Sequence, residues 1–369
     1  MFHIRNLCLI FIVFIPNTVY SAETPVIKPG SFLDTEREKQ ADSAPSAVTH
    51  GAFNASVDAK HLNEAVVGLG TDEDKIITVL TGRTNAQRQE IRKAYENLYH
   101  KDLIQDLKDD TSGNFEKIIV ALMLEPHEFL AEEVHRALYS ILPKEATLAE
   151  ILCTKSKNEL QPIIHTYNKK YNTPVHPVSL RDDIEENIQE SFKSFLKNII
   201  NEQTNLRSDS GVNDDKQLIE KQVNSIPLGL DRCQPAENKV LFDMLSKESF
   251  EHIRKISALF QEKNANYSSK MYDYVKDYCP EDMLTEAYLT VLYYASSPAE
   301  FYAHRLDGAM IGLGTNDDTL IRIIVGRSET DIGEIKRTYK GLFNTTLEYS
   351  IEQETSGTYK KTLLKLIDK

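Results

Sequence analysis

The chain has 369 residues, of which 41% are hydrophobic and 27% are charged, and its formal net charge is −13. This composition is typical of a folded globular protein, which excludes wholesale disorder and a multi-span membrane protein. The negative charge repels nucleic acid and acidic lipid headgroups alike, so nucleic acid is not expected as a partner. An acidic membrane could be approached only if bound cations supplied positive charge.

The first 21 residues have the pattern of a secretory signal peptide. Arg5 precedes an apolar run over residues 7–15, and cleavage is expected near Ser21. The run is about half of the ~20 residues that a membrane-spanning helix needs, which argues against a permanent anchor. An apolar disordered tail is the alternative. Residues 22–52 contain prolines and a charge-dense run without an apolar period, and they are predicted to form a flexible tail.

One sequence frame then recurs four times. A hydroxyl residue is followed by Ile after seven positions and by an aromatic residue after eleven, with spacings of 72, 93 and 79 residues between the copies. The Ile and the aromatic residue lie on one helical face, and the hydroxyl is placed to cap that helix. The copies are Thr84–Ile91–Tyr95, Ser156–Ile163–Tyr167, Ser249–Ile256–Phe260 and Ser328–Ile335–Tyr339.

These spacings leave room for about five helices in each unit, and no alternating strand pattern competes with the helical one. We therefore predict an all-α fold of four repeats with about five helices each. The predicted repeats are residues 53–124, 125–200, 216–297 and 298–369, with a linker at 201–215.

Two glycine loops match one another and are followed by an acid at the same distance. Residues 68–72 read Gly-Leu-Gly-Thr-Asp and residues 312–316 read Gly-Leu-Gly-Thr-Asn. Asp110 and Glu354 stand 42 residues after the first glycine of each loop, and both precede Thr-Ser-Gly. Glycines permit the left-handed backbone that turns carbonyl oxygens outward, and such oxygens with one carboxylate suit calcium. A turn that only joins two helices, with Thr71 as an N-cap, is the alternative for a single loop.

These paired motifs resemble those of the annexin family, over about residues 53–369. The resemblance implies a curved all-α disc with calcium loops on one face. It also implies weaker neighbouring sites at Thr71 with Glu73 and at Thr315 with Asp317. In the main sites, three backbone carbonyls and one carboxylate would bind Ca²⁺ in each of two repeats. The implied ligand sets are Val66, Gly68, Gly70 and Asp110 in repeat 1, and Met310, Gly312, Gly314 and Glu354 in repeat 4.

Repeats 2 and 3 depart from the family's pattern. Residues 139–143 read Tyr-Ser-Ile-Leu-Pro, and residues 231–235 read Asp-Arg-Cys-Gln-Pro, where glycine loops are expected. We predict that neither repeat has a high-affinity calcium site. Val67 and Ile311 stand where many annexins have Lys before the first glycine, which would make membrane attraction depend more sharply on calcium.

Three cysteines remain after removal of the signal peptide: Cys153, Cys233 and Cys279. Aligning repeat 3 with the calcium-binding repeats places Cys279 at the position of the acid, and Cys233 lies 46 residues earlier, in the replaced loop. A shared ion draws these two positions together in a working repeat, so the cysteines should reach the ~4.4–6.8 Å Cα separation of a disulfide. We predict a Cys233–Cys279 bridge with Cys153 as the leftover thiol. Two unrelated thiols are the alternative.

The function indicated by these features is calcium-dependent binding to acidic phospholipid membranes, and secretion or display at the cell surface is expected. No phosphate loop, zinc-protease helix, nucleophile elbow or EF-hand loop occurs in the sequence, so an enzyme is not expected. The alternative is a secreted interaction or effector protein that acts on an unknown protein partner. A signal peptide is unusual in a mostly cytosolic family and would suit an exported role at a parasite surface or toward a host. At the loop tips, Leu69 and Leu313 could contact lipid or pack inward.

Overall fold

The computed structural model describes residues 53–68, 70–173, 178–203, 207, 216–230, 232–264, 270–312 and 314–368. Within these residues the protein contains twenty α-helices and no strand, so the all-α prediction is confirmed. None of the helices in the described ranges is long and apolar enough to cross a bilayer. The predicted signal peptide and N-terminal tail, with Leu69 and Leu313, lie outside the described residues.

The helices form four groups of five, one group for each repeat. Repeat 1 contains α1 (Ala55–Val66), α2 (Glu73–Thr81), α3 (Asn85–Tyr99), α4 (Leu103–Asp110) and α5 (Gly113–Met123). Repeat 2 contains α6 (Pro126–Leu138), α7 (Glu145–Cys153), α8 (Lys157–Tyr171), α9 (Leu180–Asn187) and α10 (Glu190–Ile199). Repeat 3 contains α11 (Lys216–Asn224), α12 (Lys239–Lys247), α13 (Phe250–Lys263), α14 (Met271–Tyr278) and α15 (Met283–Ser296). Repeat 4 contains α16 (Pro298–Met310), α17 (Asp317–Arg327), α18 (Ile332–Phe343), α19 (Leu347–Glu354) and α20 (Gly357–Ile367).

The recurring sequence frame marks the third helix of every repeat. Its Ile and aromatic residues are buried in all four copies. Thr84, Ser156 and Ser249 cap these helices by accepting a hydrogen bond from the backbone N–H three residues later. In repeat 4 the capping prediction is wrong, because Ser328 ends α17 and donates its hydroxyl to the carbonyl of Val325 at 3.1 Å. The third helix therefore begins four positions after the hydroxyl there, instead of immediately after it.

The repeats pack in two pairs, and each pair has its own hydrophobic core. One core contains the apolar faces of repeats 1 and 4, and the other contains those of repeats 2 and 3. The contacts within a pair are reciprocal, because the second helix of each repeat packs on the fifth helix of the other. Thus α2 contacts α20 and α17 contacts α5, while α7 contacts α15 and α12 contacts α10. We call these pairs module 1/4 and module 2/3.

Buried ion pairs connect the two modules. Arg322 of repeat 4 donates from Nε to Glu150 at 2.8 Å and from Nη1 to Glu133 at 3.3 Å, and all three side chains are buried. Arg305 donates from Nε to the other oxygen of Glu150 at 2.8 Å. Burial opposes ionisation of Glu150, but the two guanidinium groups outweigh it and lower the pKa of this carboxyl. Glu150 is therefore a charged junction between the modules.

Candidate calcium and membrane site

In each repeat one loop joins the first helix to the second. We number these loops by repeat: loop 1 is residues 67–72, loop 2 is 139–144, loop 3 is 225–238 and loop 4 is 311–316. The four predicted calcium-binding glycines lie in loops 1 and 4.

The glycines of loops 1 and 4 have the same unusual backbone conformation. Gly68 and Gly70 have φ of +128° and +89°, and Gly312 and Gly314 have φ of +112° and +91°. L-residues with a side chain adopt such angles only with strain, so glycine is required at all four positions. A Cβ built at any of them would meet nothing within 4 Å. Backbone conformation, and not close packing, therefore explains these glycines, and the space beside them is open.

Backbone hydrogen bonds close both loops along the same path. In loop 1, the N–H of Val67 bonds to the carbonyl of Asn63 at 2.9 Å, and the N–H of Asp72 bonds to Ala65 at 2.9 Å. In loop 4, the equivalent bonds join Ile311 to Asp307 at 3.0 Å and Asn316 to Ala309 at 2.7 Å. The Asp72 and Asn316 side chains then cap the following helix. The two loops are thus built alike, down to the seven-residue bond that closes each of them.

The two predicted acids are the last residues of α4 and α19, next to these loops. The Thr71 hydroxyl donates to the backbone carbonyl of Asp110 at 2.9 Å, and the Thr315 hydroxyl donates to that of Glu354 at 3.1 Å. One carboxylate oxygen of Glu354 lies 3.4 Å from the same Thr315 hydroxyl. Both acids are exposed. The structure therefore brings each acid to its loop, as the shared spacing of 42 residues predicted.

The Thr-Ser-Gly signature that follows each acid has a local structural cause. The hydroxyls of Thr111 and Thr355 both donate, at 2.6 Å, to the carbonyl four residues earlier, at the ends of α4 and α19. Gly113 and Gly357 then have φ of +65° and +64°, where the chain reverses into the next helix. The signature ends one helix at the acid and starts another, which leaves the acid at the edge of the loop.

The available donors fit calcium better than a transition metal. Among the described residues, no group of three or more His, Cys, Asp or Glu side chains could hold a metal ion. Val66 has no ligand atom in its side chain and the Met310 side chain is buried, so both residues could contribute only their backbone carbonyls. Backbone carbonyls with one carboxylate are hard oxygen ligands of the kind that calcium takes in sets of six to eight.

Loop 2 keeps the closing bond but not the glycine geometry. The N–H of Lys144 bonds to the carbonyl of Ala137 at 2.9 Å, which repeats the seven-residue closure of loops 1 and 4. Among the described non-glycine residues only His100 and Asn344 have positive φ, so no residue of loop 2 does. Asn187 ends α9, where Asp110 ends α4, and its amide donates to the carbonyl of Asp183 at 2.9 Å. Loop 2 therefore has neither the backbone conformation nor the carboxylate of the proposed sites.

In repeat 3 a covalent bond joins the loop to the helix end. Cys233 and Cys279 form a disulfide with their Cα atoms 5.4 Å apart. Because α14 has the same length as α4, Tyr278 takes the position of Asp110 and Cys279 takes that of Thr111. The helix register therefore places Cys279 one residue beyond the acid position to which the sequence alignment assigned it. The bridge connects loop 3 to the end of α14, where a threonine hydrogen bond makes the connection in repeats 1 and 4.

Loop 3 also contains a glycine that the sequence analysis missed. Gly229 has a φ of +129°, close to that of Gly68, and its N–H bonds to the hydroxyl of Tyr274 at 3.0 Å. The signal that could have found it is the Gly229-Leu230 pair, which resembles the Gly-Leu pairs of loops 1 and 4. Additional residues between this pair and α12 change the spacing, so the match was not recognised. The remaining cysteine in the described part of the chain, Cys153, is buried, and burial raises the pKa of its thiol to about 12.

Comparison with known proteins supports the structural assignment. The family model described as Annexin matches residues 57–122, 129–199 and 301–366, in repeats 1, 2 and 4. Annexin B10 of Drosophila melanogaster is 36% identical over 324 residues, which cover 88% of this chain and 97% of that relative. A solved mutant of annexin A8 is 34% identical with a TM-score of 0.77, covering 88% of this chain and 98% of that one. Calcium-bound annexin (Sm)1 is 26% identical with a TM-score of 0.76, covering 89% and 94% of the two chains. The chain belongs to the annexin family, whose members generally bind phospholipid membranes in a calcium-dependent manner.

Proposed function

We propose that this annexin binds acidic phospholipid membranes through calcium ions held by loops 1 and 4. The observation that supports this most directly is the duplicated geometry. Two loops 244 positions apart in sequence share glycine conformations, closing bonds and a threonine bond to an adjacent acid. The threonine bonds go to backbone carbonyls that any residue would offer, so a turn that only joins two helices would not need an acid at either position.

The residues of each loop have separate tasks in this proposal. In loop 1 the carbonyls of Val66, Gly68 and Gly70 and the carboxylate of Asp110 would supply four oxygens, and loop 4 would supply the equivalent four. The remaining positions of a six- to eight-coordinate ion are left for water or for lipid phosphate and carboxylate oxygens. Bound calcium would supply the positive charge that a protein with a net charge of −13 needs near an acidic surface.

The test is calcium-dependent co-sedimentation with vesicles of phosphatidylserine and phosphatidylcholine. Asp110→Asn and Glu354→Gln remove one negative charge from each site with little change in shape. We expect each variant to need more calcium for half-maximal binding, and the double variant to bind about 100-fold more weakly, which corresponds to about 2.7 kcal/mol in all.

Matched controls come from exposed acids on the same two helices. Asp109→Asn and Glu352→Gln change the charge of the chain by the same amount without touching the proposed ligands, and both should bind like the wild type. Circular dichroism should show an unchanged helical fold in every variant, because the exchanged acids are exposed. Vesicle binding at wild-type strength by the double variant would contradict the assignment.

We also propose that the protein is exported, which rests on the sequence pattern of residues 1–21 alone. Mass spectrometry of protein from a eukaryotic secretory host should find a new terminus near Ala22, and an intact Met1 would contradict export by this route. A non-enzymatic role is proposed, as is general in annexins. The alternative is an exported protein that acts on a protein partner with membrane binding secondary, and such a protein need not sediment with vesicles.

A further inference from the structure

The exposed apolar side chains of this protein are concentrated in the same four loops. Large hydrophobic residues normally lie inside a protein, and exposed ones that occur together mark interaction surfaces. Among the described residues, the five most exposed large hydrophobic side chains all belong to loops 1–4. They are Ile141 and Leu142 of loop 2, Leu230 of loop 3, Ile311 of loop 4 and Val67 of loop 1.

Loop 2 presents the largest part of this surface, although it lacks a proposed calcium site. Ile141 is fully exposed, and Leu142 is 80% exposed. The two side chains are adjacent, so water surrounds an isoleucine and a leucine at the tip of one loop. Exposing these side chains to water costs free energy. That free energy is recovered only when the side chains enter an apolar environment.

The base of loop 2 is held in place by several bonds. The Tyr139 hydroxyl donates to the carboxylate of the buried Asp183 at 2.8 Å, and the Ser140 hydroxyl donates to the carbonyl of Arg136 at 2.7 Å. The Lys144 N–H closes the loop on Ala137 at 2.9 Å. These bonds fix the backbone on both sides of the tip, so Ile141 and Leu142 cannot fold back into the core without breaking them.

Loop 2 lies next to the proposed calcium loop of repeat 4. The ammonium group of Lys144 lies 3.2 Å from the Asp318 carboxylate, which belongs to the first turn after loop 4. Lys117 contacts the other oxygen of Asp318 at 2.8 Å. Lys144 also lines a cavity of about 70 Å³ together with Asn316, the last residue of loop 4. A surface that approaches loop 4 would therefore also approach loop 2.

We propose that Ile141 and Leu142 insert into the headgroup–acyl boundary of the membrane when calcium attaches loops 1 and 4. This inference rests on the proposed function, because the calcium sites would hold the tip at the bilayer. The lipid bilayer is favoured over a second copy of the chain or a protein partner, since exposed apolar side chains occur in the corresponding loop of every repeat and loop 2 lies beside the proposed calcium loop of repeat 4. Repeat 2 would thus contribute to membrane binding through apolar contact and not through an ion.

The chain contains no tryptophan, which makes a single introduced indole an unambiguous reporter. Ile141→Trp places the indole at the tip of loop 2. Leu342→Trp is the matched control, because Leu342 is an exposed residue of α18 and the whole of α19 separates it from Glu354. Each variant is mixed with phosphatidylserine–phosphatidylcholine vesicles with calcium or with chelator. Brominated lipid then reports contact between the indole and the acyl chains.

We expect a calcium-dependent blue shift and bromine quenching for Ile141→Trp and neither for Leu342→Trp. An unshifted Ile141→Trp spectrum in protein that does sediment would overturn the insertion and leave the calcium proposal intact. Failure of every variant to sediment would overturn both proposals. A blue shift with calcium in the absence of vesicles would indicate a second copy as the occupant and would also overturn the insertion.

A second measurement removes the apolar side chains. Ile141→Ser with Leu142→Ser should lower vesicle partitioning at saturating calcium about ten-fold, since complete burial of even one aliphatic side chain is worth at least that factor. Both positions are exposed, so the fold should be unaffected. Partitioning equal to that of the wild type would contradict the proposal.

Discussion

Removal of the disulfide in repeat 3 should destabilise the protein by an amount that follows from the length of the loop it closes. Cys233 and Cys279 are 46 positions apart. In the chain-entropy model, a cross-link that closes a loop of this size restricts the unfolded chain by about 4 kcal/mol at 25 °C. Dividing this free energy by the unfolding entropy of about 300 ordered residues gives an expected fall in Tm of about 6 °C.

The assay compares thermal unfolding of the wild type, with and without reductant, against Cys233→Ala with Cys279→Ala. Reduction should lower the Tm of the wild type to about the value of the double variant, and the double variant should not respond to reductant. Cys153→Ala keeps the bridge and serves as the control, which must remain sensitive to reductant. Peptide mapping under non-reducing conditions should recover a peptide that links Cys233 to Cys279.

Two results would refute this reasoning at different points. Three free thiols in protein from an oxidising secretory host would mean that the pair does not form. A linked peptide together with an unchanged Tm after reduction would mean that the bond forms but does not restrict the unfolded chain. Loop 3 and the end of α14 would then stay close together in the unfolded protein even without the disulfide.

The remaining predictions concern the module junction, the glycine loops and the buried thiol. Arg322→Met leaves Glu150 buried with Arg305 as its one remaining ion-pair partner among the described residues, and it should cost about 3–5 kcal/mol of unfolding free energy at pH 7. Because the pKa of Glu150 is lowered in the folded wild type, its stabilisation is present above about pH 4.5 and is lost as the pH falls further. The difference in unfolding free energy between wild type and variant, measured by urea denaturation, should therefore stay constant from pH 7 to about pH 4.5 and narrow below it, and equal stability at pH 7 would contradict the assignment. Gly314→Ala must hold alanine at a φ of +91°, so the calcium needed for half-maximal vesicle binding should rise about ten-fold, whereas Gly326→Ala, inside α17, should bind like the wild type. Cys153 should resist thiol reagents at pH 8 until denaturant is added, because burial raises its pKa to about 12, and fast labelling of the native protein would contradict this.

The helical repeats were predictable because their signal is local. The spacing of Ile91 and Tyr95 places both residues on one buried helical face, and it does so again in the other three repeats. The cap at Ser328 failed for a reason that sequence patterns do not show. Arg327, at the end of α17, pairs with Asp331 and lies over the Tyr302 ring, in a turn that delays the start of α18.

The candidate site was predictable where the chain repeats itself and less so where residues are inserted. Equal spacing from Gly68 to Asp110 and from Gly312 to Glu354 located two loops and two acids together. In repeat 3, the chain takes a longer path between α14 and α15, so counting back from α15 misplaced Cys279 by one residue.

The pairing of repeats 1 with 4 and of 2 with 3 was not predictable from periodicity. The pairing depends on which buried helix faces have complementary shapes. The apolar residues on one face show that the face is buried, but they do not show which other helix covers it. The same limit hid the approach of loop 2 to loop 4, because Lys144 and Asp318 are 174 positions apart and carry no shared motif.

The division into two modules has a mechanical consequence for the attached protein. Both proposed calcium loops belong to module 1/4, whereas the disulfide belongs to module 2/3. A force that pulls the protein from a membrane would therefore act on module 1/4 through the calcium loops, and Arg322 with the two glutamates that it contacts is one of the links that would pass this force to module 2/3. The ion pairs at the junction would then carry part of the pulling force. Insertion of the loop 2 tip into the lipid would limit how far module 2/3 can tilt away from the membrane.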